Sequence, residues 1–86
     1  MTKLDVEPSY RELSVVGSMD NAIDGTTRLL CDVQRFGFRL SSLSVQMLPG
    51  QRAEISMTIA VPAVSDPAQV LSRLARHTAL LSLNLK

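Results

Sequence analysis

Aromatic, cysteine and histidine residues are scarce in this 86-residue chain. It has no tryptophan, one tyrosine, two phenylalanines, one cysteine and one histidine. The lone Cys31 cannot form a disulfide within the chain, which fits a reducing compartment. Because Cys31 and His77 fall on different predicted helices, they do not make a cluster of metal ligands. We therefore expect no metal site, no catalytic residues, and a core of aliphatic and methionine side chains.

The chain also lacks an excess of one charge and a long apolar run. Nine basic residues face eight acidic ones, for a net charge of +1, which gives no electrostatic reason to expect nucleic acid or an anionic membrane as a partner. No apolar run is long enough to span a bilayer. Asp5 and Glu7 stand where a signal peptide would be apolar. These features predict a cytoplasmic protein with neither nucleic-acid nor membrane partners.

A small folded domain is what the remaining composition indicates. The chain is 45% hydrophobic and 20% charged, which is typical of a globular protein. Its length favours one domain over residues 10–86, after a flexible N-terminal tail over residues 1–9. A domain of this size buries a modest fraction of its surface, so we expect a homodimer in which edge strands of two sheets pair and hide one another.

The first two predicted elements are a strand and a helix. Alternation predicts a strand over Tyr10–Gly17, which the turn-forming residues Gly17–Asn21 bring to an end. Helical spacing then runs from about Ile23 to Phe36. The apolar stripe of this helix comprises Ile23, Thr26, Leu29, Leu30, Val33 and Phe36. The residues that lie away from the stripe are Arg28, Asp32 and Arg35. The candidates for its N-terminal cap are Asp20, Asn21 and Asp24.

A hairpin is predicted next. Gly37 ends the helix, because glycine adopts the left-handed conformation without a side-chain penalty. The second strand runs from Phe38 to Leu48, and a bulge near Ser41 reconciles its two apolar phases. A Pro49-Gly50 turn leads into a third strand, from Arg52 to Val61, with the clearest alternation in the chain.

The C-terminal part predicts a second helix and a closing strand. Asp66 is suited to cap the helix, and Pro67 to occupy its first position. Its last turn holds Arg76 and His77, where positive charge suits the helix dipole. The final strand is predicted from the alternating residues Leu81, Leu83 and Leu85.

The order βαββαβ predicts an α+β, ferredoxin-like sandwich with a four-stranded antiparallel sheet and two helices on one face. The other face is expected to be polar and free of aromatic residues. Its predicted members are Glu12, Ser14, Ser44, Gln46, Glu54, Ser56 and Thr58. Because RNA-binding versions of this fold stack bases on sheet aromatics, we do not expect an RNA-binding protein.

One segment resembles a motif of a hydrolase family. "VQRFGFR" (residues 33–39) is similar to the Val-Gln-Gly-Val-Gly-Phe-Arg motif of acylphosphatases, in which backbone amides and the arginine hold a phosphate at the start of the first helix. Here the segment follows a helix instead of opening one. Arg35 stands where a glycine is expected, and the family's asparagine after a tryptophan is missing. An acylphosphatase-like hydrolase is therefore the least favoured of three alternatives.

A second resemblance covers nearly the whole chain. "LLCDVQRFGFRLSSLSV" (residues 29–45) resembles the helix-to-strand segment of ACT domains, and is most like that of the small regulatory subunits of acetohydroxyacid synthase (acetolactate synthase). Phe36-Gly37-Phe38 follows the family's Arg-Gly-aromatic pattern, with Phe36 in the arginine position. The similarity continues through "ISMTIAVPA" (55–63) and "VLSRLARHTALLSLNL" (70–85).

This resemblance implies a fold and a ligand site. ACT domains share the βαββαβ order and bind small amino acids at a dimer interface, near the loop that joins the first strand to the first helix. The implied binding residues are Asn21, Ala22, Ile23, Asp24, Gly25 and Arg39. Two positions differ from the family pattern: Asp24 stands where the family has a glycine, and Arg39 stands where valine-sensing members have an asparagine. The alternative interpretation is that Asn21, Asp24 and Gly25 serve only as turn and cap.

The resemblance also implies a function. It predicts a non-catalytic regulatory or activating subunit of acetohydroxyacid synthase, in branched-chain amino-acid biosynthesis. Such a subunit carries no cofactor of its own, because thiamine diphosphate belongs to the catalytic large subunit that would be its partner. The second alternative is a free-standing ACT domain that senses an amino acid and modulates another enzyme.

Overall fold

The computed structural model describes residues 9–50, 52–76 and 80–86. The elements are β1 (Tyr10–Met19), α1 (Ala22–Arg35), β2 (Arg39–Met47), β3 (Ala53–Pro62), α2 (Pro67–Leu74) and β4 (Leu80–Leu85). The strands form one antiparallel sheet in the order β2-β3-β1-β4. This is the predicted ferredoxin-like α+β fold. The predicted N-terminal tail lies, apart from Ser9, outside the described residues.

Strand β1 is longer than the sequence predicts. It continues through Gly17 to Met19, and Gly17 pairs with Ile55 of β3 and Leu83 of β4. The expectation that Gly17 opens a turn was therefore wrong. A Cβ atom at Gly17 would lie 2.5 Å from the carbonyl oxygen of Ser82, so glycine serves here to let β4 approach β1 closely.

The β2–β3 hairpin has the predicted bulge. The pairing register shifts between Leu40 and Ser42, so Ser41 is the extra residue. The shift brings Leu40 onto the same face as Leu43, opposite Ile59 of β3. Gly50 has a φ of +77° in the turn that joins the strands. The predicted bulge and turn are confirmed.

Helix α1 ends as the Phe36-Gly37-Phe38 segment predicts. Gly37 has a φ of +78°. Its amide donates to the carbonyl of Gln34 at 3.0 Å, and the amide of Phe38 donates to the carbonyl of Val33 at 3.0 Å. These are the two bonds of a Schellman motif. The two phenylalanine rings pack against the core, with centroids 5.8 Å apart.

Two residues of α1 lie on the opposite side from the one predicted. Ile23, placed in the apolar stripe, is 81% exposed, and Asp32, placed outside it, is 4% exposed. The reason is that the buried stripe is centred on Gly25, Leu29 and Val33. Ile23 then falls about 120° from the centre of that stripe, whereas Asp32 falls only about 60° from it on the other side. The Asp32 carboxylate accepts a hydrogen bond from Arg35 at 2.7 Å.

Helix α2 begins as predicted and ends earlier. The Asp66 carboxylate accepts a hydrogen bond from the Ala68 amide at 3.0 Å, and Pro67 is the first helical residue. The helix ends at Leu74, so Arg76 lies beyond it, and His77 is outside the described residues. In β4, the register shifts at Leu80, which leaves Leu81 exposed instead of alternating with Leu83.

The core lies between the helices and one face of the sheet. It consists of aliphatic residues and methionines, namely Val15, Met19, Leu29, Val33, Ala53, Ile55, Met57, Ile59, Val61, Val70, Leu74 and Leu83. Within the described residues, no helix is long and apolar enough to cross a membrane.

The open face of the sheet is polar but not free of aromatic residues. Tyr10 lies on it, at the end of β1, and the guanidinium carbon of Arg39 is 4.7 Å from the centroid of its ring. The expectation of a face without aromatics was wrong, because alternation along β1 places Tyr10 on the same face as Glu12 and Ser14. One ring covered by an arginine is not the exposed row of rings that stacks bases.

Candidate functional site

The predicted site begins at the N-terminus of α1, directly after β1. Asn21 is the N-cap of the helix, and its side-chain oxygen accepts a hydrogen bond from the Asp24 amide at 2.9 Å. The Gly25 amide donates to the main-chain oxygen of Asn21 at 2.9 Å. The amides of Ala22 and Ile23 precede the first intrahelical bond, and α-helix geometry gives them no acceptor within the helix. This end of α1 therefore offers hydrogen-bond donors and a positive dipole end.

Gly25 faces the core. A Cβ atom there would lie 2.7 Å from the sulfur of Met19, and the neighbouring Thr26 hydroxyl is 3.5 Å from the same sulfur. The missing side chain lets α1 pack directly onto the end of β1. Ala22 packs against the same core, so it is the exposed Ile23 that borders solvent at this corner.

Asp24 is paired with an arginine. Its carboxylate accepts a hydrogen bond from Arg28 at 2.9 Å, one helical turn along α1. That hydrogen bond, together with the charge of Asp24, raises the pKa of the Arg28 guanidinium above its usual value. The negative charge that departs from the family pattern is thus balanced within the helix. A carboxylate arriving at the first turn of α1 would meet a neutral pair and not an isolated anion.

Arg39 lies at the other end of the sheet. It pairs with Ala60 of β3, whereas Met19, which precedes the site loop, pairs with Ala53. At roughly 3.3 Å per residue, these two positions along β3 are about 23 Å apart. Within one chain, the structure therefore brings Asn21, Ala22, Ile23, Asp24 and Gly25 together but does not bring Arg39 to them.

The segment that resembles a phosphate loop does not form one. The amides of Phe36, Gly37 and Phe38 all donate to carbonyl oxygens of α1, so they are not available to a phosphate. Two arginines lie close to the partly buried Phe36 ring instead. The guanidinium carbons of Arg35 and Arg73 are 5.4 and 5.9 Å from the ring centroid, a distance typical of cation–π contacts.

A depression on the open face of the sheet is a feature that the sequence did not single out as a site. Its volume is about 340 Å³. Its lining residues are Val16, Gly17, Ser18, Ser44, Gln46, Glu54, Ile55, Ser56, Ser82 and Asn84. Apart from Glu54, the lining residues are uncharged. The hydroxyl groups of Ser18 and Ser82 form a hydrogen bond with each other at 2.9 Å. Alternation predicted this polar surface, but only the strand order shows that the side chains meet. Among the described residues, no three acidic, histidine or cysteine side chains cluster as metal ligands do.

Comparison with known proteins bears on the fold alone. No family model and no curated protein matches the chain. The solution structure of the C-terminal domain of the MgtC protein from Mycobacterium tuberculosis is similar, with a TM-score of 0.68 over 96% of this chain and 92% of that chain. The two sequences are 7% identical, so the similarity extends to the ferredoxin-like arrangement and no further.

Proposed function

We propose that this protein is a non-catalytic regulatory subunit of the ACT type, acting in the cytoplasm on the catalytic subunit of acetohydroxyacid synthase. In this role it binds the thiamine-diphosphate-dependent large subunit and raises its activity, and a small amino acid bound at the first turn of α1 adjusts the effect. Thiamine diphosphate stays with the large subunit.

The observation that carries the proposal is the helix-to-strand segment on which the resemblance rests. Its glycine, Gly37, has the left-handed conformation that ends α1, and β2 follows two residues later. The bulge at Ser41 then places Leu40 and Leu43 on one face. The helix end, the glycine turn and the strand thus lie at the positions that the resemblance implies, and this agreement supports the proposal.

The geometry of the α1 N-terminus supports amino-acid binding. The amides of Ala22 and Ile23 are donors suited to a ligand carboxylate. The exposed side chain of Ile23 offers an apolar contact for the side chain of a branched amino acid, and the Asp24–Arg28 pair leaves no net charge beside it.

Reconstitution with the catalytic subunit tests the proposal. The purified protein, mixed with the acetohydroxyacid synthase large subunit of the same organism, is expected to co-elute with it and to raise acetolactate formation several-fold. Equal activity with and without the protein, together with separate elution, would contradict the regulatory role.

A substitution at the cap tests the amino-acid site separately. Serine at position 21 keeps an N-cap oxygen but removes the carboxamide N–H donors. We expect valine, leucine or isoleucine to raise the melting temperature of the native protein, because a ligand that binds only the folded state stabilises it. In Asn21→Ser the shift should shrink while the melting temperature without ligand stays within a few degrees. No change in the melting temperature of the native protein at millimolar ligand would contradict the amino-acid site and leave only the binding of the large subunit as the proposed function.

A further inference from the structure

The depression on the open face of the sheet crosses all four strands. The pairing registers align its side chains in two rows, each with one residue from every strand. From β2 to β4, the first row holds Ser44, Ser56, Val16 and Asn84. The second row holds Gln46, Glu54, Ser18 and Ser82. Because neighbouring strands lie about 4.8 Å apart and alternate residues of one strand about 6.6 Å apart, the floor measures roughly 14 by 7 Å.

Differences in side-chain length give the depression its depth. Three short side chains at its centre are half-buried, namely Val16, Ser18 and Ser56. Three longer side chains around them are exposed, namely Gln46, Glu54 and Asn84. The volume of about 340 Å³ falls within the range of roughly 300–1,000 Å³ that small-molecule pockets occupy. The depression can therefore hold a ligand of one or two sugar rings.

Polar side chains beside the depression are paired with each other, whereas most of those inside it are not. Outside, the hydroxyls of Ser14 and Thr58 form a hydrogen bond at 3.0 Å, and Ser41 donates to the Glu12 carboxylate at 3.2 Å. Inside, Ser18 and Ser82 bond to each other. Across the described part of the chain, five lining side chains have no hydrogen bond or ion pair, namely Ser44, Gln46, Glu54, Ser56 and Asn84. Their donors and acceptors are open to a ligand.

Glu54 gives the depression a negative charge. It is the one ionisable residue among the lining residues. Arg52, two residues before it on the same side of β3, approaches the Asp20 carboxylate at 3.9 Å instead. A metal ion needs several ligands at once, and no three acidic, histidine or cysteine side chains of the described residues cluster. A single carboxylate among neutral hydroxyls and amides suits an organic ammonium group better.

We propose that the depression binds a small hydroxylated amine of the amino-sugar class. Its ammonium group donates to the Glu54 carboxylate, because a charge-assisted hydrogen bond is roughly twice as strong as a neutral one. Its hydroxyls bond to the serine hydroxyls and to the carboxamides of Gln46 and Asn84, all of which can both donate and accept. The carbon face of the sugar ring packs on Val16.

This site is independent of the proposed function. It lies on the face of the sheet opposite to both helices, whereas the proposed amino-acid site is the first turn of α1. Neither the subunit contact nor amino-acid binding enters the argument. Failure of the experiments below would therefore leave the proposed function as it is, and failure of the proposed function would leave this site.

The first experiment titrates the isotope-labelled protein with glucosamine and follows its amide resonances. A slightly acidic pH keeps the amine protonated and Glu54 ionised. We expect saturable shifts at the lining residues. Glucose lacks the ammonium group and ethylamine lacks the hydroxyls, so each should bind roughly tenfold more weakly or worse. Equal affinity for glucose or for ethylamine, saturable shifts confined to α1, or no saturable shift would each overturn the proposal.

The second experiment removes the charge of Glu54 but keeps its size. Glu54→Gln should bind glucosamine roughly tenfold more weakly, because a hydrogen bond to a charged group is lost. The matched control is Glu12→Gln, which removes an exposed carboxylate of the same face outside the depression. It should bind glucosamine as the native protein does, and circular dichroism shows that both variants keep the fold. Unchanged affinity of Glu54→Gln, or an equal loss in both variants, would overturn the proposal.

Discussion

At Gly17 a single missing side chain decides how closely two strands approach. A Cβ atom there would lie 2.5 Å from the Ser82 carbonyl and 2.9 Å from a methyl group of Leu83. Neither neighbour can move easily, because one belongs to the main chain of β4 and the other is buried in the core. The glycine that sequence patterns assign to a turn is thus a packing residue inside the sheet.

We expect Gly17→Ala to lower the free energy of unfolding by about 1–3 kcal/mol, the usual cost of overpacking. Gly17→Val, which adds two more methyl groups, should cost more. Urea unfolding followed by circular dichroism gives both values. A Gly17→Ala protein as stable as the native one would show that β4 can shift freely and that the contact is not a constraint.

At the scale of elements, the order of helices and strands and most of their ends could be predicted from the sequence. Caps and turns have local causes, which is why Asp66, Gly37 and the bulge near Ser41 were placed correctly. The faces of α1 were placed less well. Helical spacing shows which residues share one face of a helix, but it does not show which part of that face the sheet covers. For this reason Ile23 was predicted to be buried and Asp32 to be exposed, and the structure shows the reverse.

Helix α2 has only eight residues and depends on its cap. Asp66→Ala should lower the free energy of unfolding by about 1 kcal/mol, because the Ala68 amide loses its acceptor. Asp66→Ser retains an acceptor and should lose at most half of that. Urea titrations of the two variants provide the comparison, and equal stability of Asp66→Ala and the native protein would show that the cap contact contributes nothing.

At the scale of the whole molecule, the candidate site is divided. The five residues from Asn21 to Gly25 are contiguous in the chain, so their proximity could be predicted, but Arg39 was assigned to the same site only by resemblance. Strand order explains the separation, since Arg39 starts β2 at the end of the sheet opposite to the α1 N-terminus.

If two copies unfold together, stability must depend on protein concentration. A tenfold increase corresponds to 1.4 kcal/mol per dimer at 25 °C, which for about 170 residues raises the melting temperature by roughly 3–6 °C. Calorimetry over two decades of concentration measures this slope. A native protein without this slope would contradict the expected homodimer.

The contact between Gly25 and Met19 also connects the surface of α1 to the interior of the sheet. A Cβ atom at position 25 would lie 2.7 Å from the sulfur of Met19, and Met19 is fully buried opposite Ala53 of β3. A displacement of the first turn of α1 therefore requires the Met19 side chain to move. Methionine is unbranched and flexible, which suits it to follow such a displacement without opening a cavity.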